Sequence, residues 1–219
     1  VTDSQQTVCT PTTTPRLALA TLVALLLGLP VGWLLAALSL LPFFLGLFFF
    51  TLFGLLLGAV LYRVARPVAP VSAAAAFGAG AVVVLAVWFL ALLIEAHNLP
   101  SDARAFFIES HKTMTPESLA RAKAELPDRA RQFLRDRYPP GGFIGYVRWA
   151  GSSGELPLGK TNTGLPVLFR LRQGPRAWIV RVILSAFLLA FGVLSQVMGL
   201  TRDPNETPEI AHELSDPRE

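Results

Sequence analysis

Charged and apolar residues are segregated along this chain, and the segregation predicts its elements. No Asp, Glu, Lys, Arg or His lies between Leu17 and Tyr62, between Pro67 and Ile94, or between Val182 and Leu200. About 20 helical residues cross the roughly 30 Å hydrocarbon layer of a bilayer. Leu17–Leu41 supplies 25, Phe43–Tyr62 supplies 20, Val71–Ile94 supplies 24 and Val182–Leu200 supplies 19. The last run gains a few residues if Ala177–Val180 lies in the interface around Arg181, giving a fourth span over 177–200. None of these runs has the polar face that a helix in water needs. The pattern predicts an all-α transmembrane fold: four membrane-spanning helices, with a small α+β extramembrane module between helices 3 and 4.

Within that frame, the polar segment 1–16 precedes a helical hairpin, 17–62, built from helices 17–41 and 43–62 with a turn near Leu41–Phe44. The first run exceeds the about 7–15 apolar residues of a signal peptide, and a second span follows at once. The third span is 71–94, and 201–219 is an acidic tail whose three prolines predict disorder. Small residues predict helix contacts. Gly28 and Gly32 are four apart, as are Gly54 and Gly58, the spacing that lets backbones approach closely. On the fourth helix Ser185, Gly192, Ser195 and Gly199 predict one small-residue face, with Gln196 beside it.

The connection 95–176 carries most of the charge. Helices are predicted over about 101–110, 116–126 and 128–138, separated by Pro127 and by the break Pro139-Pro140-Gly141-Gly142. Arg129, Arg131, Arg135 and Arg137 on the last of these predict either contact with anionic lipid headgroups or a solvated basic face over a local core. Beyond the break, aromatic and β-branched residues predict strands at about 143–149 and 166–172.

Composition agrees with the pattern: 53% of the 219 residues are hydrophobic and 16% charged, with a mean hydropathy of +0.51. The net charge is +4, and 95–176 holds 13 Lys or Arg against 8 Asp or Glu. In a membrane protein such an excess is an orientation signal or headgroup contact, not a nucleic-acid footprint. Arg16, Arg63 and Arg66 at the open end of the hairpin predict cytoplasmic N- and C-termini, whereas Arg170, Arg172, Arg176 and Arg181 favour the opposite. The expected location is a multi-pass site in the cell membrane, or the inner membrane in a bacterium. A lone cysteine, Cys9, allows no intrachain disulfide.

The chain carries one nucleotide-like signature. Gly154–Thr161, GELPLGKT, matches the Walker A pattern through Gly154, Gly159, Lys160 and Thr161. A working phosphate loop runs from a strand into a helix whose amides hold the phosphates. Here Asn162, Gly164 and Pro166 oppose that helix, and Pro157 removes a loop amide. The stretch is therefore a chance match, read as a turn between two short strands with Lys160 exposed and no nucleotide bound. His97, His111 and His212 lack metal-site spacing, so no cofactor or metal is implied. Proton-coupled pumps and intramembrane proteases are disfavoured, because no ionisable side chain lies deep in the spans.

The expectation is a non-enzymatic scaffold, assembly or sensor-like accessory protein. Its partners are membrane lipid and a protein partner, or a second copy met through the transmembrane helices. The competing expectations are a transporter or channel subunit, and an enzyme in which Glu95, His97 or His111 converge in one pocket of the 95–176 module.

Overall fold

A computed structural model describes residues 13–38, 43–110, 116–160, 166–171 and 174–201. Its elements run α1 (Thr13–Leu38), α2 (Phe43–Ala65), α3 (Ala73–Ser110), α4 (Pro116–Arg137), α5 (Gly142–Ser152), β1 (Glu155–Lys160), β2 (Pro166–Arg170) and α6 (Gly174–Val197). Short 3-10 turns follow α2 and α6, at Arg66–Val68 and Met198–Thr201. Four helices are long and apolar enough to cross a membrane, over Pro15–Ala37, Leu45–Val68, Ala73–Glu109 and Gly174–Thr201. Between the third and fourth of them lies a small two-stranded sheet. The predicted segment 1–16 lies outside the described residues up to position 12, as do the turn residues Leu41 and Pro42, His111, Thr161 and the tail beyond Thr201.

Three boundaries differ from expectation. First, α3 does not stop at Ile94 and restart at Ser101; it is one helix of 38 residues with Pro100 inside it. An internal proline costs a helix about 3 kcal/mol. Leu99, Ala103 and Phe107 recur every four residues and are all buried, and full burial of a Leu or Phe side chain contributes roughly 1.5–3 kcal/mol. The buried stripe therefore outweighs the missing backbone bond. Second, α4 runs through Pro127 in the same way, with Leu126, Ala130 and Leu134 buried on one face.

Third, residues 143–149 are helical. The stretch FIGYVRW has strand-like composition, but Tyr146, Trp149 and Ala150 fall at helical spacing and are buried. Burial overrides β propensity here. Gly141, at φ +81°, starts this helix in a conformation that L side chains rarely adopt. The strand that pairs with β2 is Glu155–Lys160, joined antiparallel with Glu155 opposite Arg170.

The chain divides into two compact units. The first comprises 1–31, 49–87 and 187–219. Inside it the helices meet through glycines. A Cβ added at Gly54 would lie 2.7 Å from the Leu189 carbonyl oxygen, and one at Gly192 would lie 2.7 Å from the Gly54 carbonyl carbon. Gly58 meets the Val193 carbonyl oxygen at 2.8 Å on the same measure, with Gln196 Cβ at 3.0 Å. These distances leave room for no side chain where α2 crosses α6. The outward positions are Leu19, Leu22, Leu26, Leu52, Leu56, Phe187 and Phe191, the surface a helix offers to lipid.

The second unit comprises 32–48 and 88–186 and holds the polar elements. Its core gathers Leu99, Ala103 and Phe107 of α3, Leu126, Ala130 and Leu134 of α4, Tyr146 and Trp149 of α5, Leu156 and Leu158 of β1, and Trp178 of α6. Trp149 stacks on Phe169 at 6.4 Å and donates its indole N–H to the Glu155 carbonyl at 2.9 Å, fixing α5 to the sheet.

Candidate functional site

The site is built on Glu95, next to Ile94 at the end of the third charge-free run. One carboxylate oxygen, Oε1, accepts three donors: the Tyr146 hydroxyl at 2.8 Å, the Trp178 indole N–H at 3.2 Å and the Arg181 guanidinium at 2.5 Å. Arg181 stands beside Val182, where the fourth charge-free run begins. Two charges that adjoin separate apolar runs thus form one ion pair, with side chains only 11% and 18% exposed. Such a pair offsets its loss of hydration only when further hydrogen bonds complete it. Tyr146 and Trp178 supply those bonds.

The donors are held by packing. The Tyr146 ring lies 5.8 Å from Trp149 and edge-on to Trp178 at 6.0 Å. Burial first, and then the neighbouring Glu95 carboxylate, push the Tyr146 phenol well above its ordinary range, so it remains a donor. About two turns inside the apolar run, Trp88 donates to the Val182 carbonyl at 3.2 Å and joins α3 to α6.

Beside this cluster lies a half-open cavity of about 710 Å³. Glu95, Asn98, Asp102, Phe106 and Glu109 of α3 form one wall, on a single helical face. Trp33, Ala36 and Ala37 of α1, Phe169 and Arg170 of β2, and Tyr146, Trp178 and Arg181 complete it. The wall on α3 exists because the helix continues through Pro100, which keeps the residues after the proline in phase with Glu95.

Of the three residues considered for enzymatic convergence, only Glu95 lines this cavity; His97 is exposed elsewhere on α3, and His111 lies outside the described residues. Among the described residues no group of three or more His, Cys, Asp or Glu could hold a metal ion. The Walker-like stretch takes a form incompatible with a phosphate loop. Gly154, at φ +60°, follows a helix, Gly159 sits at an irregularity within β1, and Lys160 ends that strand. Its residues Glu155–Lys160 are not the turn expected between strands but a strand, paired antiparallel with β2.

Arg129 and Arg131 form ion pairs with Glu125 (2.6 Å) and Asp128 (2.9 Å), while Arg135 and Arg137 are exposed. On the opposite side of their helix Leu126, Ala130 and Leu134 are buried in the core of the second unit, with Phe133 packed against it. Gly28 packs on Val87 in the first unit, and Gly32 packs on Leu90 in the second. Gly199 lies against the Tyr62 ring and Ser185 is buried, but Ser195 is exposed and donates to its own helix at the Gly192 carbonyl. Sequence reasoning missed Tyr146, Trp178 and Arg181 as partners of Glu95. The available signal was that Glu95 and Arg181 each adjoin an uncharged run. No family model, curated protein or solved structure matches this chain.

Proposed function

We propose that this multi-pass membrane protein is a non-enzymatic, sensor-like accessory protein that holds a ligand in the cavity beside Glu95 and acts through protein partners. The observation that carries this reading is the cavity's polar wall, in which Glu95, Tyr146, Trp178 and Arg181 are locked to one another. A pre-organised wall binds without first ordering its side chains. It is a poor general base at Oε1, where three donors already engage the oxygen.

Partners meet faces other than the glycine pairs, because Gly28, Gly32, Gly54 and Gly58 are occupied within the chain. In this reading the segments before α1 and after α6 are cytoplasmic and the 95–176 module faces the opposite side. The uncharged hairpin turn, against Arg16, Arg63 and Arg66 at the open end, supports that orientation.

A photo-crosslinking amino acid placed at Phe106 or Trp33 tests the reading in native membranes. It predicts a light-dependent adduct from both positions that weakens when Arg181→Gln loosens the wall. Absence of any adduct from either position contradicts it. A transporter or channel subunit is the second reading, favoured by the carboxylates on the α3 wall. Solute uptake by proteoliposomes, absent from empty vesicles, would replace the first reading with this one.

A further inference from the structure

The charge of the cavity is the reverse of the charge around it. The segment 95–176 is basic, with 13 Lys or Arg against 8 Asp or Glu, yet three of those eight acids, Glu95, Asp102 and Glu109, line one cavity. Both arginines of the lining are engaged. Arg181 pairs with Glu95, and Arg170 pairs with Glu155 across the strands at 3.0 Å. Asp102 and Glu109 line the cavity, form no ion pair among the described residues, and are both exposed. The charge left unbalanced is therefore negative.

The other walls select among cations. Trp33, Phe106 and Phe169 give the cavity aromatic surface, and Leu99 with Ala36 and Ala37 gives it aliphatic surface. Aromatic faces attract ammonium groups through the ring quadrupole and repel anions. A bare inorganic cation would gain little from such walls, whereas an organic ammonium with an apolar body meets both surfaces at once. About 710 Å³ accommodates a molecule of drug size.

We infer that this cavity is a binding site for an amphiphilic organic ammonium ion, its charged head between Asp102 and Glu109 and its apolar body against Trp33 and Phe106. The inference rests on the reading of the cavity as a ligand site. Lipids with ethanolamine or choline heads and soluble organic cations share the chemistry.

The test uses the full chain in a neutral maltoside detergent. Benzyltrimethylammonium is titrated while tryptophan fluorescence is recorded, since Trp33 and Trp178 line the cavity, and p-toluenesulfonate serves as the anion of similar size. The cation should give a saturable change that salt weakens, and the anion should give none. The double variant Asp102→Asn, Glu109→Gln should raise the cation's Kd about tenfold. Its unfolding temperature should match the parent's, since both side chains are exposed.

Equal binding of the anion, an unchanged Kd in the double variant, or silence with both probes overturns the ammonium inference. The crosslinking result at Phe106 then decides separately whether the cavity binds anything. A second arm finds the source. The protein is reconstituted with equal phosphatidylethanolamine and phosphatidylglycerol, re-extracted, and its retained lipid measured by mass spectrometry. Enrichment of phosphatidylethanolamine on the parent but not the double variant assigns a lipid head; probe binding without enrichment assigns a soluble cation.

Discussion

Glu95 directly follows a run of apolar residues, yet its carboxylate turns into the protein and takes three donors on one oxygen. Its value lies in completeness, because a half-broken buried pair is worse than none. Glu95→Gln leaves the Arg181 guanidinium buried without its counter-charge, and removal of one partner from such a pair costs about 3–5 kcal/mol. The double variant Glu95→Leu, Arg181→Leu should lose less than either Glu95→Gln or Arg181→Gln, as measured by thermal unfolding in detergent. Additive losses would contradict the pair.

Tyr146 carries a second residue-scale prediction. Its raised pKa means that the folded state favours the protonated phenol. The resulting stability is fully present below the ordinary value of 10.0 and is lost as pH rises above it. Phenolate absorbance of the folded protein should therefore lack one tyrosine in the range where ordinary tyrosines ionise, and Tyr146→Phe should leave that folded titration unchanged. An ordinary titration that Tyr146→Phe diminishes would refute it.

Among the elements, α2 and α6 touch backbone to backbone. Gly54→Leu or Gly192→Leu would drive a side chain into the facing backbone, and overpacking of this kind costs about 1–3 kcal/mol. Gly78→Ala, with open space around it, should be neutral in the same unfolding assay. Comparable losses at all three positions would contradict the crossing. The continuity of α3 has its own test. One alanine inserted between Pro100 and Ser101 rotates everything after it by about 100°. It should weaken benzyltrimethylammonium binding by at least as much as the Asp102→Asn, Glu109→Gln double variant, because it turns Asp102, Phe106 and Glu109 from the cavity, whereas Pro100→Ala should preserve it.

At the scale of the whole molecule, the four apolar helices were legible because hydrocarbon imposes a length and an absence of charge, both visible in sequence. The module was less legible, because long-range burial decided its elements. Pro100 and Pro127 are local breakers overruled by Leu99, Ala103, Phe107, Leu126, Ala130 and Leu134 in a shared core. FIGYVRW supports two periodicities, and the pocket for Tyr146 and Trp149 chose the helical one. The candidate site joins residues 51, 83 and 86 positions apart from Glu95, a distance over which no local pattern operates.

In the proposed topology the chain crosses the membrane three times between position 9 and the module, through the helices Pro15–Ala37, Leu45–Val68 and Ala73–Glu109. Cys9, the only native cysteine, reports the first side, and Gln132→Cys on the exposed face of α4 in a Cys9→Ser background reports the second. The direct measurement is labelling by a membrane-impermeant maleimide in sealed vesicles of known orientation. Position 9 should label from the cytoplasmic face only and position 132 from the opposite face only. Labelling of both from the same face would contradict three crossings.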